Sequence, residues 1–318
     1  MPRQDTVRTL RRMVIAAGEV VELQRRLAPY IRHTPLIAAT GGGLLKLESL
    51  QPTGSFKVRG FFNAALALSS EQRRRGLLTV SAGNAALACA HVDRELDVPC
   101  RVVMFDTAPA VKADRVRALG AGLLPMSREQ LYEWIRTRSW EQEPETFIHP
   151  FANAEVIAGH GTIAAEILDD APDVERVLVP VGGGGLICGV AAAFAALGHP
   201  VTVVGVQSNG YPLWPRAFEA GGAVSLVPDT IADGTTAPFD ATMFEPLRSL
   251  VHEWVVVPEA ELRRGVVRVI TDAKLVAEGA GALAFTAMSA AKPSERTVAI
   301  VSGGNIDPTL LAQLLTAP

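Results

Sequence analysis

The stretch VLVPVGGGGLICGVAAAFAAL (177–197) decides the fold. Val177–Val181 is a continuous apolar run of strand length. Such a run marks a strand covered on both faces, the habit of parallel sheets. Leu186–Leu197 has the length and small apolar content of a buried helix. Between them stand four successive glycines, Gly182, Gly183, Gly184 and Gly185. A glycine turn between strand and helix lets several backbone N–H groups face one point. The helix N-terminus adds its partial positive charge, so the natural guest is a phosphate. A tight turn for close packing is the plainer reading, and four glycines in a row favour the phosphate. No frame of them gives G-x-G-x-x-G, because Ile187 and Cys188 fill the third-glycine places. No G-x-x-x-x-G-K-[ST] occurs either. The uncharged run 177–198 is near the length of a membrane span, but Pro180 and the glycines cut it in two, and no membrane partner is expected.

The same logic repeats along the chain. Strands are expected at 44–47, 77–80, 100–105, 122–126, 147–149, 177–181, 201–206, 254–257 and 298–301. Helices are expected at 7–28, 55–67, 85–93, 110–119, 129–140, 162–168, 186–197, 259–275 and 281–290, with Ser55 as an N-cap. Apolar strands alternating with helices define an α/β protein with mainly parallel sheets. The chain has 318 residues, beyond the size at which one core stops growing. Two strand runs, before residue 150 and after residue 177, suggest two sheets.

Composition narrows the function. Apolar residues make up 48% and charged residues 20%, which excludes a disordered chain. Net charge is -3, with no basic excess to meet a nucleic-acid backbone. Cys89, Cys100 and Cys188 have no paired spacing, so neither a zinc site nor a disulfide framework is expected. They read as small buried hydrophobes in a reduced, cytoplasmic setting. Charges at Arg3, Asp5, Arg8, Arg11 and Arg12 precede no apolar core, so a secretory signal is not expected. The six histidines show no ligand spacing, and no metal is expected.

Ligands of parallel sheets bind at the turns beyond the strand C-termini. Besides the glycine run, three segments are rich in small and polar residues: PTGSFKVRG (52–60), SAGN (81–84) and SGGN (302–305). Lys57 stands in a first helical turn between Phe56 and Val58. A desolvated lysine there is a nucleophile or base. A surface lysine with a packed stem is an equal alternative on this segment alone. A phosphate nest and an amine nucleophile in one chain together suggest pyridoxal phosphate, held by its phosphate and by a Schiff base.

Five segments carry a resemblance. RLAPYIRHTPL (26–36), LKLESLQPTGSFKVRG (45–60), HPFANAEVIAGHGTIAAEI (149–167), TIADG (230–234) and SGGNID (302–307) resemble, in order, the motifs of fold-type II pyridoxal-phosphate enzymes. The branch is that of the threonine/serine dehydratases and serine racemase. The resemblance implies a two-lobed fold like that of the tryptophan synthase β chain. A large cofactor-binding domain would comprise 1–74 and 151–318, and a small mobile domain 75–150. It implies Lys57 as the Schiff-base lysine and Cα base, with Phe56 packed near the ring. Asn84 would bond the cofactor's 3′ oxygen. Gly182 to Gly185 with Leu186 would hold the phosphate, Ser302 would face the pyridine nitrogen, and Glu278 would lie near the ring. Ser55 and the loop Ser81, Ala82, Gly83, Asn84 and Ala85 would receive the substrate. A neutral serine need not protonate the pyridine nitrogen, which favours prompt loss of a β-substituent. The implied activity is a lyase that dehydrates and deaminates a β-hydroxy amino acid, in a homodimer.

Several positions depart from that pattern. Serine racemase has a serine base where this chain has Ala82, so dehydration is preferred over racemisation. The family's histidine after the asparagine is Ala85, which points to a bulkier or differently charged substrate, such as phenylserine or hydroxyaspartate. Gly279 replaces a proline after Glu278. Gln207 and Leu213 stand where the family has acidic cation ligands, so no magnesium requirement is expected. The chain ends soon after 307, and isoleucine feedback is not expected. A β-replacement enzyme of the cysteine-synthase type is the rival reaction. A pyridoxal-phosphate-binding protein without turnover is the rival of another class.

Overall fold

In the computed structural model, which describes residues 16–291 and 293–317, strand alternation sends successive side chains to opposite faces. In chain order the elements are α1 (Ala17–Leu27), β1 (Leu36–Ala38), β2 (Leu44–Lys46), α2 (Lys57–Leu66), α3 (Ser70–Arg75), β3 (Leu77–Val80), α4 (Asn84–Leu96) and β4 (Cys100–Phe105). Then come α5 (Ala110–Ala118), β5 (Gly122–Met126), α6 (Arg128–Arg136), β6 (Thr146–Phe147), α7 (Ala154–Asp170), β7 (Arg176–Pro180), α8 (Gly185–Ala196) and β8 (Thr202–Ser208). The last are α9 (Leu213–Ala220), α10 (Ala241–Leu250), β9 (Glu253–Val257), α11 (Glu259–Ala273), α12 (Gly279–Ala290), β10 (Thr297–Ile300) and α13 (Pro308–Thr316).

Two sheets form. One has six strands in the order β1-β2-β10-β7-β8-β9, parallel except for β1 against β2. Val177, Val179 and Val203 face one core, with Ile163, Val190 and Phe194 of α7 and α8. Leu178, Val204 and Ala299 face the other, with Val266 of α11 and Leu283 and Phe285 of α12. Both faces are covered, which is why these strands read as unbroken apolar runs. The second sheet has four parallel strands, β5-β4-β3-β6. Its helix α4 shares an apolar cluster with Val58, Phe61 and Phe62 of α2.

Several expectations are corrected. The helix carrying Lys57 starts at Lys57, not at Ser55. Residues 54–56 are tied instead to the segment after β10. Ser55 bridges Gly303, Phe56 N–H donates to Ser302 O at 3.0 Å, and Gly304 N–H donates to Gly54 O at 2.9 Å. Helix α7 begins at Ala154, eight residues before the expected 162, capped by Asn153, whose Oδ1 accepts from Val156 N–H at 3.0 Å. Its glycines look like breaks but permit close packing. A Cβ at Gly159 would lie 2.6 Å from Arg59 O, and one at Gly161 would lie 3.0 Å from Gly189 O. Residues 7–15 of the first expected helix lie outside the described residues. Helices α3, α9, α10 and α13 and strand β1 were not expected.

The cysteines are a further correction. Cys89 and Cys100 form a disulfide, with Cα atoms 6.3 Å apart. Helix α4 lies back over the strand that follows it across the turn 97–99, which brings the two side chains together. Sequence spacing carries no record of that turn. The bond also removes one support for a reduced setting, since disulfides persist mainly in oxidising compartments. Cys188 is buried and free, and burial pushes its thiol up to about 12. Among the described residues no helix is long and apolar enough to cross a membrane.

Candidate active site

Four segments meet beyond the C-terminal strand ends. They follow β2, β3, β7 and β10 and contain the predicted site residues except Glu278, which precedes α12.

The glycine turn joins β7 to α8. Gly184 takes a positive φ of 96°, which favours glycine, and Gly185 is the first helical residue. The first N–H groups of α8 have no intrahelical acceptor. The cradle is walled from behind. A Cβ at Gly183 would run into the Phe151 ring, and one at Gly185 would lie 2.6 Å from Phe151 O. Trp214 Nε1 donates to Gly182 O at 2.7 Å, and a Cβ at Gly182 would lie 3.0 Å from Gly234 O. Trp214, buried in the core behind the nest, therefore also fixes it.

Lys57 is the first residue of α2. Its Nζ donates to Pro150 O at 2.7 Å and lies 5.1 Å from the Phe56 ring centre. Burial lowers its pKa from 10.5 to about 8. Pro150 is followed by Phe151, the wall of the glycine cradle, so amine and nest are joined through two residues. Phe56 packs edge-on against His160, ring centres 4.8 Å apart. His160 is fully buried, with both ring nitrogens unpartnered among the described residues, and burial holds its pKa well below the usual value. His149 is pushed down to about 4 by burial, and its Nδ1 accepts from Ala152 N–H at 2.9 Å.

Asn84, Glu278 and Ser302 close the other side. Asn84 opens α4, and its Nδ2 donates to Glu278 Oε1 at 2.6 Å. Glu278 N–H donates to Gly303 O at 3.1 Å, which ties it to the residue after Ser302. Burial, with Asp233 nearby, raises the Glu278 carboxyl to about 7. Ser302 is buried. Ser81 Oγ accepts from Gly83 N–H at 3.0 Å, shaping the loop. Ala82 and Gly83 are partly exposed, and a Cβ at Gly83 would meet nothing within 4 Å. Ala85 is only 3% exposed and packs in an apolar cluster, so open room comes from 82–83 rather than from it. Leu186 is buried in the core behind the nest.

Some residues of the site were not singled out in sequence. Asn305 Nδ2 donates to Asn84 Oδ1 at 2.7 Å and to Thr53 O at 2.8 Å. Arg115 Nη2 donates to Asn305 Oδ1 at 2.7 Å, and Lys112 Nζ to Asp233 Oδ2 at 2.9 Å. Asn305 and Asp233 fall in the segments SGGN and TIADG, whereas no local signal separates Lys112 and Arg115 from ordinary polar residues. Arg59, two residues after Lys57, is held in buried salt bridges. It is fully buried, with Nε donating to Glu48 Oε2 at 2.7 Å and Nη1 to Glu166 Oε1 at 2.7 Å.

A family described as "Pyridoxal-phosphate dependent enzyme" matches residues 27–303. An L-threonine ammonia-lyase of Thermotoga maritima is 38% identical over 316 residues, covering 95% of this chain and 78% of its own. An L-threonine dehydratase, catabolic TdcB, of Staphylococcus aureus is 35% identical, covering 95% and 92%. The structure of maize serine racemase superposes with TM-score 0.86 at 30% identity, covering 95% and 97%. The chain belongs to the pyridoxal-phosphate-dependent enzyme family, with the fold-type II architecture. Within it, the chain is a lyase of the threonine/serine dehydratase–serine racemase branch, and its cofactor is pyridoxal 5′-phosphate.

The residues present fit that cofactor. The nest admits no Cβ at its walls, and its N–H groups suit a phosphate dianion. The amine of Lys57 is desolvated, as a carbonyl-trapping lysine must be. The Ser55 hydroxyl is buried beside it in sequence and has no partner among the described residues.

Proposed function

We propose that the protein is an ammonia-lyase for β-hydroxy amino acids. The Cα–H and Cβ–OH bonds break, water leaves, and hydrolysis returns one water as ammonia departs. The net products are a 2-oxo acid and ammonia. The observation that carries this reading is the pairing of a buried, pKa-lowered Lys57 amine beside the glycine nest with an alanine at position 82.

When bound, pyridoxal phosphate supplies an electron sink for the pair released at Cα. The N–H groups of Gly182–Gly185 hold its phosphate, with Leu186 behind them, and Phe56 supports its ring. Asn84 is oriented by Glu278 and Asn305, leaving its amide fixed for the 3′ oxygen. Ser302 gives the pyridine nitrogen a neutral partner. Lys57, once free, takes the Cα proton, and its lowered pKa keeps a useful fraction unprotonated near neutrality. Ser55 and the loop 81–85 bind the amino acid. Ala82 has no proton to give on the opposite face, which separates elimination from racemisation. The room at Ala82 and Gly83 supports a substrate larger than serine.

The test is turnover of cofactor-loaded protein with serine, threonine, phenylserine and 3-hydroxyaspartate. The expected result is 2-oxo acid and ammonia in equal amounts, with threonine not the preferred substrate. Inversion at Cα without 2-oxo acid would overturn the reaction. A clear preference for threonine would overturn the larger substrate.

A further inference from the structure

Helix α5 carries Lys112 and Arg115 one turn apart, on one face. Both reach across to loops of the six-stranded sheet, to Asp233 and Asn305 respectively. From Asn305 the bonds run on to Asn84 and then to Glu278. The Arg115 guanidinium thus stands one side chain away from Asn84, at the mouth of the site.

Two residues on, Arg117 pairs with Asp114. Arg115 pairs with no carboxylate among the described residues and instead donates to a neutral amide. Most of its planar fork is uncommitted, and that fork matches a carboxylate in a bidentate pair. The charged groups here are Lys112 and Arg115 with Asp233, Asp307 and, beyond Asn84, Glu278; Lys112 is paired with Asp233, which leaves the Arg115 guanidinium as the cation without a carboxylate partner among the described residues. The loop below, Ala82–Gly83, adds neither bulk nor charge.

We propose that Arg115, assisted by Lys112, receives a second carboxylate on the substrate, so that the substrate class is an acidic β-hydroxy amino acid. 3-Hydroxyaspartate is its simplest member. This rests on the ammonia-lyase reading for the reaction, but the binding of the distal carboxylate can be measured without turnover.

The experiment has two arms on the cofactor-loaded protein. Calorimetric titration compares succinate with butyrate, equal in carbon count and differing by one carboxylate. Succinate should bind at least about tenfold tighter, and Arg115→Gln should abolish the preference while Lys112→Gln weakens it. In turnover, the ratio of kcat/KM for 3-hydroxyaspartate to that for serine should fall at least about tenfold in Arg115→Gln. Equal binding of the two acids, or a preference that survives Arg115→Gln, overturns the proposal and leaves Arg115 as a clasp between α5 and the 305 loop. Absence of 2-oxo acid from every substrate overturns the lyase reading instead, and the titrations still decide Arg115.

Discussion

At the scale of single residues, Lys57 and Gly183 show what burial does to chemistry. A solvated lysine is a poor nucleophile at neutral pH because its amine is protonated. Desolvation lowers Lys57 from 10.5 to about 8. Capture of added cofactor by the stripped protein should therefore speed up with pH until about 8 and then level off. The growth of the visible band of lysine-bound cofactor reads this rate. A rate still climbing towards pH 10 would contradict the desolvated amine, and Lys57→Ala should show no band and no turnover. Gly183→Ala places a methyl against the Phe151 ring and should weaken cofactor binding by at least about tenfold, read by equilibrium dialysis. Both residues were legible in sequence because each combines a rare local pattern with a demanding chemistry. Arg115 was not, because its role exists only through a contact across 190 positions; Asn305 was marked only as part of SGGN, since its contact with Asn84 spans 221 positions.

Elements pass these constraints on. Every strand but β1 was readable, most plainly β7, β8 and β10, where burial on two faces leaves unbroken apolar runs. Helix α7 was expected only from 162, and the glycines in its unexpected first part, Gly159 and Gly161, let α2 and α8 approach. The disulfide was missed because pairing depends on how α4 lies over β4. The approach of α2 to α7 is locked by a buried charge cluster. Arg59 of α2 lies between Glu48 and Glu166, and Lys46 Nζ meets Glu166 Oε2 at 2.7 Å. Removing one member leaves unpaired buried charge, so Arg59→Ala should cost about 3–5 kcal/mol, seen as a lower denaturant midpoint. A loss under about 1 kcal/mol would mean water reaches the cluster. Gln207 of β8 illustrates a different use of an element end. Its Nε2 donates to Val181 O at 2.9 Å and its Oε1 accepts from Trp214 N–H at 2.9 Å. An amide committed to bracing the glycine turn supports the expectation of no magnesium requirement. Activity should survive a chelator, and loss restored by magnesium would refute this.

Across the whole molecule, the junction of the two sheets is chemically lopsided. On one side α4 packs on α2 through a buried apolar cluster, with Phe61 and Phe62 wholly buried and Phe62 edge-on to His91 at 5.6 Å. On the other side the α5 contacts named above are polar, the Lys112–Asp233 and Arg115–Asn305 pairs, and Asp233 is 63% exposed. Apolar burial resists separation, while an exposed ion pair contributes little, about 0–1 kcal/mol. We propose that residues 75–150 move as a small lobe, hinging at the α2–α4 seam and opening at α5. Substrate would enter at the polar edge, and a carboxylate bridging to Arg115 would draw the edge shut. Hydrogen exchange should then show α5 amides exchanging faster than α4 amides in the cofactor-loaded protein. Succinate should slow exchange in α5 and leave α4 unchanged, and raised salt should speed exchange in α5. Equal protection in the two helices, indifferent to succinate, would mean the edge is closed at rest and the lobe does not hinge there.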